Sequence, residues 1–249
     1  ILSGLHNHLN GQYGHQHNYH KFSSFQNIQS LPVILTKHGY RTFRIGKYHV
    51  APEPVYRFET TLQGNSRNAV QMAKQCEELI NSKDTKPFFL YFATSDPHRG
   101  GGADKNSKYK PDLFGNKSNK GSHNGVNEVF YDINDVEVPA FLPDTPTCRA
   151  ELAQYYQSCS RIDQGLGELI KILKKAGKYD NTLLIFTFIG AINWDFGKGT
   201  IFLTIYGFIP SLISFGIIIF SILGFDQMIL FTYLILFLLI QLCIDYLIY

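Results

Sequence analysis

The sequence predicts an α/β protein in which a mostly parallel sheet is flanked by helices. Residues 40–45 and 88–93 predict strands, and the second run is entirely apolar, as in a buried parallel strand. Segments with helical spacing lie between and after them, and the longest covers residues 148–176. Helices that alternate with buried strands are typical of parallel sheets, which bind ligands beyond the carboxyl ends of their strands.

Local patterns predict the elements of the first half in chain order. Residues 1–30 are rich in His, Asn, Gln and Gly, and they predict the end of a helix followed by a loop. Pro32 and Gly39 bracket a short predicted helix over 31–38, since Pro suits a first turn and Gly suits a helix end. A further helix over 66–82 is predicted from apolar residues at helical spacing, which are Val70, Ala73, Leu79 and Ile80.

The second half predicts a loop, a long helix and a strand. Residues 100–127 are mostly Gly, Lys, Asn and Ser and predict a long flexible loop, and 131–146 predict an extended segment. Gly177 ends the helix over 148–176. Its predicted apolar stripe consists of Leu152, Tyr155, Tyr156, Cys159, Ile162, Leu166, Leu169, Ile170 and Leu173. Residues 181–187 are again apolar and predict another buried strand.

The composition changes sharply near residue 199. Residues 199–225 contain no charged residue, and a second apolar run covers 228–244. Each run is long enough, or nearly so, to cross a bilayer as a helix, although Pro210 would kink the first. We therefore expect a body over 1–198 and a hydrophobic helical tail over 199–249 that inserts in a membrane. Two alternatives are a buried helix pair and, from the Ile, Phe, Leu and Tyr bias, translated non-coding sequence.

Several classes of site are disfavoured by composition. The net charge is +3 without a basic stripe interleaved with aromatics, which argues against nucleic-acid binding. The four cysteines have neither metal-ligand spacing nor the pattern of a disulfide framework. The early histidines favour a solvated loop or the rim of a site over a transition-metal centre; they are His6, His8, His15, His17 and His20. Lysines in the long loop could steer a polyanionic glycan or simply be solvated.

Two segments carry the chemistry. Lys47 directly follows the first predicted strand, and His49 projects to the same side if the chain is extended. A fixed cation stabilises charge on an oxyanion, and a neighbouring histidine can move a proton. Asp96 and His98 follow the second predicted strand in the run Asp-Pro-His-Arg. The alternatives are a solvated Lys and His after the first strand, and a helix-capping Asp with a structural His after the second.

Residues 39–49 resemble the second signature of the sulfatase family: Gly, aromatic, any, Ser or Thr, two any, aliphatic, Gly-Lys, aromatic, His. Every specified position matches. Dispersed blocks over residues 1–187 are similar to the heparan N-sulfatase branch, among them 30–32, 87–91, 138–146 and 161–165. The resemblance implies a sulfatase-like (alkaline-phosphatase-like) fold over 1–198. It also implies hydrolysis of the N-sulfate of a terminal glucosamine in heparan sulfate, which releases sulfate and a free amine.

The resemblance also implies residue roles and partners. Lys47 would bind the sulfate, His49 would assist the nucleophile, and His98 would protonate the departing nitrogen. Lys198 would correspond to a basic residue of the family that contacts sulfate. The family uses a formylglycine made from Cys, together with Ca²⁺. It also implies a heparan sulfate-type glycan as partner, a lysosomal or secretory location, and a homodimer for the complete enzyme.

The sequence departs from the family pattern at both ends of the resemblance. Only the last four positions of the first signature are present, at residues 1–4, so we expect the nucleophilic Cys, the paired Asp ligands and the first strand before Ile1. Where the family has Asp and Asn as calcium ligands, this chain has Ile189 and Gly190, which offer no side-chain oxygen. We therefore expect an incomplete sheet and no turnover by this chain alone. Two alternatives are a membrane-anchored non-catalytic relative and an arylsulfatase-type O-sulfatase.

Overall fold

The structure of the 249-residue chain is a computed structural model that describes residues 1–16, 19, 21–117 and 122–186. The chain forms two compact units, Ile1–Thr182 and Leu183–Tyr249. The predicted boundary near residue 199 and the predicted tail over 199–249 lie outside the described residues and stay predictions. Within the described ranges, no helix is both long enough and apolar enough to cross a membrane.

Three parallel strands form the sheet of the first unit, which confirms the predicted α/β class. Strand β1 (Arg41–Gly46) lies in the middle, between β2 (Thr60–Leu62) and β3 (Phe88–Ala93). The register places Gly46 opposite Ala93. Parallel strands end at the same edge of a sheet, so the segments after β1 and β3 begin side by side.

Five α-helices are described: α1 (Asn7–Asn10), α2 (Leu31–Lys37), α3 (Ala69–Gln75), α4 (Glu77–Asn81) and α5 (Pro146–Lys175). The helix predicted over 66–82 is therefore divided at Cys76. At the start of α5 the Thr145 hydroxyl accepts from the Cys148 N–H at 3.2 Å, with Pro146 in the first turn. Gly177 follows its end with φ +65°, as predicted. Short 3₁₀ turns cover Glu53–Tyr56 and Tyr179–Asn181.

The main core lies where α3 and the second half of α5 pack on β1. It consists of Ile45, Met72, Ala73, Cys76, Ile80, Leu169, Ile172 and Leu173. The stripe predicted for α5 is correct at Ile162, Leu169 and Leu173 and wrong in the first half of the helix. There the buried positions are small or polar: Ala150, Ala153, Gln157, Ser158 and Arg161. This half packs against the loops before it through hydrogen bonds, such as those of Arg161, and through the rings of Tyr155 and Tyr156, which are only partly buried.

Two other predictions need correction. The strand predicted over 181–187 is wrong for residues 182–186, which the structure describes as irregular, with the Leu183 side chain 70% exposed. An apolar run becomes a strand only when a neighbour takes up its backbone hydrogen bonds, and composition does not supply that neighbour. The described part of the 100–127 loop is irregular, but Phe114 and Asn116 are buried and a bridge pairs Ala103 with Asp112.

The close crossing of α3 and α5 can be tested at Gly165. A Cβ there would lie 2.3 Å from the Ala69 Cβ and 2.7 Å from its carbonyl carbon, so Gly165→Ala must push the helices apart. We expect a loss of about 1–3 kcal/mol in the free energy of unfolding, measured in urea. Gly167→Ala is the control, because a Cβ there meets nothing within 4 Å. It should gain up to about 1 kcal/mol, and equal effects would contradict the close packing.

Candidate functional site

The site begins where β1 ends. The Lys47 N–H donates to the Ala93 carbonyl at 2.8 Å, which continues the pairing of β1 and β3 by one residue. Gly46 has φ +88°, and a Cβ on it would lie 2.0 Å from the same carbonyl oxygen. Only glycine permits this approach, so Lys47 leaves the strand at a fixed point on the carboxyl edge of the sheet.

An open cleft of about 630 Å³ lies beside this edge. Its described lining residues include cations and hydroxyl groups but no carboxylate: Arg44, Gly46, Lys47, Tyr48, His49, Thr61, Leu62, Gln63, Gly64, Ser66 and Ser95. The structure therefore brings Lys47 and His49 together in one cleft, as the strand-end pattern predicts. Such a lining suits an anion, since donors and positive charges face the space without competing negative charge.

The positive character of the cleft affects Lys47 itself. Burial lowers the pKa of the Lys47 ammonium, and the nearby charge of Arg67 lowers it further. Both causes penalise the charged form of a lysine. A bound anion would offset both effects, because its charge compensates that of the ammonium.

His49 borders the histidine-rich N-terminal segment. The His15 ring lies edge-on to the His49 ring, with centroids 5.9 Å apart and planes at 85°. Gln12 anchors this segment, because its side-chain oxygen accepts from the Ala51 N–H at 3.3 Å. His15 thus contacts a residue of the cleft without lining it, and the role of the early histidines stays a prediction. In the described part of the chain, no group of three or more His, Cys, Asp or Glu side chains could hold a metal ion.

His98 follows β3 but is not among the residues that line the cleft. Its Nδ1 lies 2.6 Å from the Arg99 carbonyl oxygen. Since a carbonyl can only accept, Nδ1 carries the proton, and Nε2 is the nitrogen left for another group. Arg67 links the two regions: it donates to the His98 carbonyl at 2.6 Å, and its charge acts on Lys47.

Asp96 is buried between two arginines. Arg67 Nη1 donates to Asp96 Oδ1, and Arg161 Nε donates to Asp96 Oδ2, both at 2.9 Å. The peptide bond to Pro97 is cis. No helix follows Asp96, so the alternative of a helix-capping carboxylate is wrong. Its role is to pair with two cations drawn from distant parts of the chain.

Arg161 is the largest fully buried side chain described. Its remaining donors reach the Asn116 side-chain oxygen, the Phe114 carbonyl at 2.9 Å and the Ser158 hydroxyl at 3.2 Å. Sequence reasoning missed the roles of Arg67, Asp96 and Arg161. The sequence gives one indication for Arg161, which is a charged residue on the buried face of a predicted helix. Arg67 belongs to no local pattern.

Other predicted site residues lie beyond the described part of the chain. They are Lys198, the proposed sulfate contact, and Ile189 and Gly190 at the family's calcium-ligand positions, and their roles stay predictions. Those two residues have no side-chain oxygen to offer Ca²⁺, and in the described part of the chain no three or more His, Cys, Asp or Glu side chains lie together as a metal site. Cys76, the most buried described cysteine, packs in the main core and does not line the cleft.

Comparison with known proteins gives a family and several relatives. The sulfatase family profile matches residues 1–187. Human N-sulphoglucosamine sulphohydrolase is 38% identical over 210 residues, which is 81% of this chain and 42% of that protein. The uncharacterized sulfatase YdeN of Escherichia coli (strain K12) is 29% identical over 102 residues, 41% of this chain and 12% of YdeN. The chain therefore spans less than half the length of these relatives.

A solved structure is also similar. The crystal structure of the lipoteichoic acid synthase LtaP from Listeria monocytogenes matches with a TM-score of 0.35 and 18% sequence identity. The match covers 61% of this chain and 34% of that one.

Removal of the charge of Asp96 should destabilise the fold strongly. Asp96→Asn leaves Arg161 buried without a counter-charge, and we expect a loss of about 3–5 kcal/mol in the free energy of unfolding. Asp163→Asn on the exposed face of α5 is the control and should unfold at the wild-type urea concentration. Similar midpoints for the two variants would show that the buried ion pairs do not stabilise the fold.

The titration of Lys47 tests the electrostatics of the cleft. Arg67→Gln removes the second cause of the lowered pKa, so that pKa should rise while burial keeps it below the ordinary value. The change can be followed by NMR of the labelled lysine side chain, with Arg99→Gln as the control. Because an anion needs the charged ammonium, anion binding should weaken as the pH rises through this lowered pKa. An unchanged Lys47 pKa in Arg67→Gln would show that the charge of Arg67 does not act on Lys47.

Proposed function

The chain belongs to the sulfatase family, and we propose that it contributes the sulfate-binding and acid–base residues of a hydrolase acting on N-sulfated glucosamine of heparan sulfate. One observation carries the proposal: Lys47 and His49, both from the family signature, lie together in a basic cleft lined by no described carboxylate. The 38% identity to a human N-sulphoglucosamine sulphohydrolase supports the N-sulfated substrate class.

Lys47 is the proposed partner of the sulfate group. Hydrolysis of a sulfamate develops charge on the sulfate oxygens, and a partly desolvated ammonium stabilises that charge more than a solvated one does. The hydroxyls of Ser66 and Ser95, which lie 2.5 Å apart at the cleft wall, share one hydrogen bond, and the second of their two O–H groups is left as a neutral donor. Lys198 is proposed as a further cation for the sulfate.

The two histidines are proposed to move protons. His49 would assist the nucleophile from within the cleft, beside Lys47. His98, as the imidazolium, would give its Nε2 proton to the nitrogen as the S–N bond breaks and would be left neutral, with Nδ1–H still bonded to the Arg99 carbonyl. The products are sulfate and a free amine. No step is assigned to Ca²⁺ or formylglycine.

We further propose that this chain binds the sulfated sugar but does not turn it over by itself. The proposed partner is a heparan sulfate-type glycan, and the proposed location is the lysosome or secretory pathway. The complete enzyme is proposed to be a homodimer.

Binding of N-sulfoglucosamine by the chain tests the proposal directly. Titration calorimetry should detect N-sulfoglucosamine and not glucosamine, because Lys47 has a sulfate to pair with only in the first sugar. Lys47→Ala should weaken binding by about tenfold or more, as expected for the loss of a charged hydrogen bond. Lys171→Ala, an exposed lysine on α5, is the matched control and should bind like the wild type.

Three results would change the conclusion. Equal binding by Lys47→Ala would remove Lys47 from the site. Stronger binding of 6-O-sulfated glucosamine would favour an O-sulfatase, and no binding of any sulfated sugar would favour a non-catalytic relative. Sulfate released by the chain alone would contradict the expectation that it lacks turnover.

A further inference from the structure

We infer that Arg67 is a positioning residue that fixes the ring of His98 by holding the backbone against which that ring is oriented. The inference rests on the proposed function only for the use made of His98 in catalysis. The contacts that carry it belong to the fold, and they can be tested without substrate.

The Arg67 guanidinium reaches three acceptors within residues 96–99. Nη1 donates to Asp96 Oδ1 at 2.9 Å and to the His98 carbonyl at 2.6 Å, and Nη2 lies 3.4 Å from the Arg99 carbonyl. The Arg99 carbonyl is also the acceptor for His98 Nδ1 at 2.6 Å. One planar cation therefore contacts both the His98 carbonyl and the Arg99 carbonyl, and the second of these is the one that bonds the ring.

Arg67 is itself held in place. Its backbone N–H donates to the Asn65 side chain at 3.0 Å. Two glycines of the following loop pack against it: a Cβ on Gly115 would lie 2.7 Å from the Arg67 Cδ, and one on Gly100 would lie 2.9 Å from Nη2. The second oxygen of Asp96 is taken by Arg161. The guanidinium thus has little freedom to turn away from the His98 and Arg99 carbonyls.

This arrangement selects one tautomer of His98. A carbonyl fixed at 2.6 Å from Nδ1 requires the proton on Nδ1 in the neutral ring, which leaves Nε2 to face a substrate group. Orientation of a histidine through its other nitrogen is a common way to set its reactive nitrogen. Without Arg67 the two carbonyls could rotate, and the ring would exchange between both tautomers.

The test is the tautomeric state of His98 in the free chain, read from ¹⁵N shifts of labelled histidine in its neutral form. His98→Gln identifies the signals. The wild type and Arg99→Gln, which retains the backbone carbonyl, should show Nδ1–H. Arg67→Gln should show both tautomers. Arg67→Lys keeps a charge beside Asp96 but cannot reach both carbonyls, so it should recover stability and still show both tautomers.

The role of Arg67 can be decided even if Arg67→Gln does not fold, because Arg67→Lys gives a second reading of the tautomer. Nδ1–H retained in Arg67→Lys would overturn the inference, and so would Nε2–H in the wild type. A purely structural Arg67 would lose stability in Arg67→Gln without any change of tautomer in the folded fraction. Binding of N-sulfoglucosamine is measured separately, with Lys47→Ala. If the sugar does not bind, the tautomer result still stands, and if the tautomer does not change, the binding result still stands.

Discussion

The buried carboxylate of Asp96 holds together the segments on which the candidate site is built. Arg161 reaches it from α5, and Arg67 reaches it from the residue before the cap of α3. Ions are costly to bury, and this array is tolerated because Arg161 also donates to Phe114, Asn116 and Ser158. A single group of charges thus ties the end of β3 to two helices and to the loop after residue 100.

The same array explains the electrostatic character of the cleft. Two arginines face one carboxylate, so the group carries an excess positive charge at the carboxyl edge of the sheet. Of this group, the charge of Arg67 contributes to the lowered pKa of Lys47, and burial contributes more. The structure thereby sets stability and anion preference with the same residues, because the cation that pairs with Asp96 also acts on the cleft.

Local patterns predicted much of the fold. Strand β1, strand β3 and helix α5 follow from alternation, apolar runs and capping residues, which all act within a few neighbours. The predictions were wrong where the partner decides the outcome. The apolar residues 182–186 are irregular, and the first half of α5 buries Ser158 and Arg161 in place of Tyr155 and Tyr156. Hydrophobicity alone does not reveal that a helix faces a polar loop.

The sequence by itself determined that Lys47 and His49 share one cleft. They stand two residues apart directly after a strand, and side chains two apart in an extended chain project to the same side, so local geometry suffices. Only the tertiary structure decided that Arg67, Asp96 and Arg161 meet, because 29 and 65 residues separate Asp96 from its two partners. Ion pairs over such distances leave no periodic trace along the chain, since they depend on how the sheet and helices pack.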